Sequence, residues 1–196
     1  MASVLSHPAV VLALGPVFAR LGVAPRLWLV GAVCTVVPDL DSIGFFAGVP
    51  YGSLFGHRGL SHSLLFALGL ALILAPICRK LSPKASLPTL VGFLFLCTAS
   101  HGLLDALTNG GLGVAFFSPF LQHRYFFPWR PIAVSPLSVS RFLAGRGLQV
   151  LSSELRWVWL PSVVTGVIAH LLLPRSGAKY ALARPTRAVA SRRSSP

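Results

Sequence analysis

Seven side chains in this sequence combine metal-ligating chemistry with an unusual setting: His7, Asp39, Asp41, His57, His62, His101 and Asp105. Each lies within or at the edge of an apolar run, where ionisable groups are costly and more often functional. Four imidazoles and three carboxylates suit zinc, manganese or iron better than a soft metal. Seven candidates exceed the three protein ligands typical of one catalytic zinc. One or two divalent ions are therefore expected, with zinc as the first choice. A pair of ions about 3.5–4 Å apart would activate a water and clamp the oxygens of an ester or phosphoester.

The spacing says how these groups meet. His101 and Asp105 stand at i and i+4, on one face of a helix. Asp39 and Asp41 converge if Pro38 ends the preceding helix and the chain runs extended. His57 and His62 are five apart across Gly59, so His57 is expected in a loop, with Ser61-His62 opening a helix. Whichever of Asp39 and Asp41 is not a ligand is a candidate general base. Arg58, and after it Arg124 and Arg130, are candidates to neutralise a phosphate or developing charge. For Arg124 and Arg130 the plainer role is contact with lipid headgroups. Any one of these histidines, taken singly, is more simply a hydrogen-bonded core residue, and Asp41 a helix cap near Ser42. Their coincidence argues for a site. His123 is a possible eighth member, whereas His170 falls toward the other end.

The elements that must position these residues are apolar helices. The chain is 196 residues long, 54% hydrophobic and only 11% charged, with a mean hydropathy of +0.74. Such values exclude a disordered chain and argue against an ordinary soluble domain. Leu60–Cys78, Ser86–Leu104 and Trp157–Leu173 contain no Asp, Glu, Lys or Arg and approach the roughly 20 residues that cross a bilayer. Ser3–Ala19 and Leu27–Pro38 are shorter apolar segments. The expected fold is all-α, a polytopic membrane protein of about five embedded helices. Residues 109–156, rich in Gly, Pro and aromatics, are expected to form a lid or re-entrant loop. One domain is expected over 1–174, followed by a basic, disordered tail over 175–196. Met1–Ala19 lacks the basic start of a signal peptide and reads as mature sequence. Cys34, Cys78 and Cys97 read as small buried hydrophobes.

Charge supplies an orientation. There are 17 Lys and Arg against 4 acids, and such a basic chain meets either nucleic acid or anionic membrane. The hydropathy selects the bilayer and not nucleic acid. If the helices alternate, Arg20, Arg26, Arg79, Lys80, Lys84 and the six basic residues of the tail share one side, which is 11 of the 17. The positive-inside rule makes that side cytoplasmic. All seven candidate ligands then fall on the other, periplasmic side.

Pro38-Asp39-Leu40-Asp41, Gly56-His57-Arg58-Gly59-Leu60-Ser61-His62-Ser63 and Ser100-His101-Gly102-Leu103-Leu104-Asp105 together resemble the YdjM-type family of bacterial inner-membrane proteins. The resemblance covers most of residues 1–160. It implies a multi-pass protein of the bacterial inner membrane acting as a metal-dependent hydrolase. Its His-x-x-x-Asp pairing is also similar to zinc-dependent phospholipases C, which implies a phosphodiester substrate by analogy. The family also carries a LexA-binding label, for which these residues offer no contact. The function expected is hydrolysis of an ester or phosphoester in a membrane lipid or lipid-linked substrate. The rival is a non-enzymatic membrane protein that conducts or senses metal ions or protons. A conduit should carry polar residues through to the far face, and these stop at one side.

Overall fold

The computed structural model describes residues 1–136 and 138–173. Among these the chain is helical, without strands, and only isolated bridges join Thr108 to Ile132 and Val114 to Tyr125. Five apolar helices make the body: α1 His7–Ala19, α2 Arg26–Ala47, α3 Leu64–Leu81, α4 Leu87–Ala106 and α5 Phe142–Leu172. Helices α2 to α5 are each long and apolar enough to cross a membrane. The 20 residues of α4 rise about 30 Å, one hydrocarbon thickness. The basic tail expected over 175–196 lies outside the described residues.

Local chemistry sets the helix starts. Ser86 caps α4 by accepting from the Thr89 amide at 3.2 Å, and Pro88 stands in the first turn, where no donor is needed. Ser63 caps α3 by accepting from the Phe66 amide at 3.0 Å. The helix expected to open at Ser61-His62 therefore opens at Leu64, and Leu60–His62 forms a 3-10 turn before it. That shift frees the Ser61 hydroxyl for another partner.

Two further expectations are corrected. Pro38 does not end α2, because a proline in the first turn of the 3-10 stretch Val37–Ala47 meets no donor requirement. Asp39 and Asp41 thus lie on a helix, and two residues apart on a three-residue turn they point in different directions. The lid expected over 109–156 is also shorter, because α5 begins at Phe142. Gly145, at φ 108°, kinks its first turns, and no proline interrupts the chain from there to Pro161. The π-helical stretch Leu155–Trp159 ends one residue before that proline, whose missing amide would break an α-helical ladder.

The ends of the bundle differ in kind. At one end the Arg20 guanidinium donates to the His170 carbonyl at 2.6 Å, Arg26 Nε to the Leu81 carbonyl at 2.6 Å, and the Ala24 amide to Ser82 Oγ at 2.8 Å. These bonds close the turns between α1 and α2 and between α3 and α4. Above them Leu27, Leu90, Phe93, Leu94 and the cysteines Cys34, Cys78 and Cys97 form a buried apolar core. Exposed Leu72, Ile73, Ile77, Leu171 and Leu172 face outward, as lipid-facing residues do. The opposite end holds the polar cluster.

Candidate metal centre

α4 delivers His101 and Asp105 with rings and carboxylate fully buried, and the 3-10 half of α2 delivers Asp39 at 7% exposure. His62, from the turn before α3, completes a group in which one donor atom from each residue lies within 4.8 Å of the others. His101 Nε2 is 3.2 Å from Asp39 Oδ1 and 4.0 Å from Asp105 Oδ2. His62 Nε2 is 3.8 Å from Asp39 Oδ1 and 3.7 Å from Asp105 Oδ2. A tetrahedral zinc with bonds of about 2.0–2.2 Å spaces its ligands about 3.3–3.6 Å apart. The observed separations bracket that value.

The remaining ring nitrogens are held so that these donors face inward. His101 Nδ1 donates to the Thr35 carbonyl at 2.7 Å. His62 Nδ1 is 3.1 Å from Asp41 Oδ2 and 3.0 Å from Ser61 Oγ. Ser61 in turn donates to Asp41 Oδ2 at 2.5 Å. A histidine whose Nδ1–H is taken by a carbonyl or carboxylate presents Nε2 as a fixed lone pair, the usual support of a ligating imidazole. Burial pushes His62 down to about 4, outweighing Asp41. The ring is therefore neutral near pH 7, as a ligand must be.

The donors of this cluster have few partners beyond one another, the ion pair from Arg58 Nε to Asp105 Oδ2 at 2.9 Å being the exception. Among the described residues, His7 Nδ1 and Nε2, both Asp39 oxygens, His57 Nε2, His62 Nε2, His101 Nε2 and Asp105 Oδ2 are buried without a hydrogen bond. Unpaired buried polar atoms are rare in folded proteins, and several converging on one point call for a common partner. Asp39, His62, His101 and Asp105 are a group that could hold a metal ion.

The other predicted residues take different places. Asp41 lies behind the group, holding His57 Nδ1 at 2.7 Å, His62, Ser61 and the Arg58 amide at 3.2 Å. With His57 and His62 it forms a second possible ligand group, which would demand both nitrogens of His62. His7 stacks on His101 with ring centroids 3.7 Å apart, its Nε2 3.8 Å from Asp105 Oδ1, at the margin of the group. Arg58 is fully buried: its Nε lies 2.9 Å from Asp105 Oδ2, and its other nitrogens donate to Thr108 Oγ1 at 3.0 Å and the Gly110 carbonyl at 2.9 Å. Its guanidinium is thus paired within the protein, against Asp105, Thr108 and Gly110. Arg58 holds φ 64°, a strained conformation for a side-chain-bearing residue, pinned by its amide on Asp41 and its carbonyl on Ala115. Arg124 donates to the carbonyls of His57, Tyr51 and Ser53, and Arg130 stacks over Phe126. His123 is exposed against Tyr125, outside the cluster, and His170 lies at the far end.

Sequence reasoning passed over Ser61, the Thr35 carbonyl, Thr108 and Glu154. Glu154, on α5, is fully buried and accepts from the Ser3 amide, from Ser3 Oγ at 2.6 Å and from Ser6 Oγ at 2.7 Å. The segment it holds brings the Ala2 amide to Asp105 Oδ1 at 2.8 Å, turning Oδ2 toward the histidines. An acid in an apolar stretch was the available signal for Glu154, the same one that marked the other three.

Comparison with known proteins agrees with this architecture. A family model described as "YdjM inner membrane protein" matches residues 1–178. The Inner membrane protein YbcI of Escherichia coli (strain K12) is 41% identical over 164 residues, covering 84% of this chain and 94% of the relative. No solved structure matches.

Proposed function

The chain belongs to the YdjM inner membrane protein family, and from that premise we propose that it is a membrane-bound, metal-dependent hydrolase of an ester or phosphoester in a lipid or lipid-linked substrate. The observation that carries this reading is the convergence of four buried residues, Asp39, His62, His101 and Asp105, with one ligand atom of each within 4.8 Å of the others. Zinc suits two imidazoles and two carboxylates at these separations, and one ion fits better than two because Asp41 already occupies His62 Nδ1. When bound, the ion supplies Lewis-acid activation of a water or substrate oxygen.

The protein's own groups supply the rest. His57, held at Nδ1 by Asp41 and free at Nε2, accepts the proton of the attacking water. Asp41 orients both imidazoles. The Arg58 guanidinium balances the charge of Asp105 instead of meeting substrate. The site end is periplasmic, a reading supported by Arg20, Arg26, Arg79, Lys80 and Lys84 at the other end. A conducting role is disfavoured by the apolar core around Leu90, Phe93 and Leu94, which lies beyond the cluster among the described residues.

The test is metal analysis of protein purified without chelator, followed by a phospholipid hydrolysis screen with and without chelator. About one zinc per chain and chelator-sensitive hydrolysis are expected. Metal-free wild-type protein would overturn the reading. Bound metal without hydrolysis of any lipid ester would overturn its enzymatic half.

A further inference from the structure

A cavity of about 620 Å³ opens beside the polar cluster. Its walls include Val4, Leu5, Phe45, Phe46 and Phe142, with Ser42 among them. Three links join this cavity to the centre. Ser42 follows Asp41 directly in α2. The Phe45 ring lies 5.9 Å from the His57 ring. Met1 and Ser3, which also line it, flank Ala2, whose amide holds Asp105.

The cavity is open on its outer side. Leu5, just before α1, is 58% exposed and Phe46, near the end of α2, is 94% exposed. An apolar lining that opens outward favours an occupant apolar over most of its length. Ser42, Ser3, Ser135 and Ser138 are the polar residues of an otherwise apolar lining, the Ser3 hydroxyl being held by Glu154. A hydrocarbon tail that carries a polar linkage at one end matches this distribution, whereas a soluble, uniformly polar substrate does not.

We infer that this cavity is the tail-binding site for the substrate of the proposed hydrolase: it takes one hydrocarbon chain of a membrane lipid sideways from the bilayer and lays the adjoining ester at His57. The inference rests on the proposed hydrolase only for the last step. Binding of the chain stands on the cavity itself. Selection acts on the tail, and the headgroup projects past Ser42 toward the membrane surface.

The probe is a phosphatidylglycerol carrying a diazirine within one acyl chain, added to the full-length protein in lipid nanodiscs and crosslinked by light. Adducts mapped by mass spectrometry should concentrate on Leu5, Phe45, Phe46 and Phe142 over the lipid-exposed Leu72 and Ile73 of α3. Ser138→Trp and, separately, Leu5→Trp fill the cavity without touching a ligand. Each should cut that labelling about tenfold, the loss of roughly two buried methylenes, while metal content stays at the wild-type level. Labelling spread evenly over α3 and the cavity, or unchanged by both substitutions, would overturn the inference. Metal loss with cavity labelling intact would instead count against the hydrolase.

Discussion

At the residue scale, the centre divides into atoms that would touch an ion and atoms that aim them. His101→Ala and Asp105→Ala each remove a donor, and both should purify with less than half the wild-type metal. Retention of full metal by both variants would move the ion elsewhere. Asp41→Asn leaves the donors in place but no longer fixes the His62 tautomer. Metal affinity should fall about 10–100-fold by competition with a chelating dye, with stoichiometry restored at saturating zinc. Glu154 acts one step further out. Glu154→Ala strands the Ser3 and Ser6 donors and should cost roughly 2–3 kcal/mol in detergent unfolding. The types and apolar setting of the ligands were legible in the sequence, because a carboxylate in a membrane segment stands out on composition alone. The direction of Arg58 was not legible. Its inward turn depends on a left-handed backbone and on Thr108 and Gly110, 50 or more residues away.

At the element scale, α1 and α5 run side by side, α1 bringing His7 and α5 the Glu154 tether to one end. Their approach depends on Gly166, where an added Cβ would stand 2.1 Å from the Leu12 carbonyl oxygen. Small residues at such crossings let backbones meet when no hydrophobic drive separates helix from lipid. Gly166→Val should therefore lower the thermal unfolding midpoint by several degrees and release metal with it. Gly69→Ala on α3, where nothing lies within 4 Å, is the matched control and should leave the midpoint unchanged or slightly raised. Hydropathy located the helices of this bundle to within a few residues, except that α2 continues to Ala47 and α5 begins at Phe142. A 3-10 stretch containing Pro38 and a glycine kink at Gly145 both look like breaks in sequence, since proline and glycine usually end helices. Whether they do depends on the register of the neighbouring turns.

At the scale of the whole molecule, the two ends of the bundle carry opposite chemistry, which makes orientation testable. Lys84→Cys and Gln122→Cys place exposed thiols on the turn between α3 and α4 and on the loop between α4 and α5. In a background lacking Cys34, Cys78 and Cys97, an impermeant maleimide added to intact cells should label Gln122→Cys and leave Lys84→Cys unmodified until the membrane is opened. Labelling of both positions from outside would remove the two-ended arrangement, and the reverse pattern would place the centre in the cytoplasm.

The sequence by itself determined that this is a helical membrane chain and that three of its four acids and four of its six histidines gather at one end. Apolar length and helix alternation are properties of a linear string, and both survive folding unchanged. Only the tertiary structure decided which of the seven residues face one another. It drew Asp39, His62, His101 and Asp105 into one donor group and set Asp41 behind His57 and His62. It also turned Arg58 inward against Asp105. These assignments depend on the direction of each side chain across three helices and a loop, and a two-residue step on a 3-10 turn is enough to separate Asp41 from Asp39.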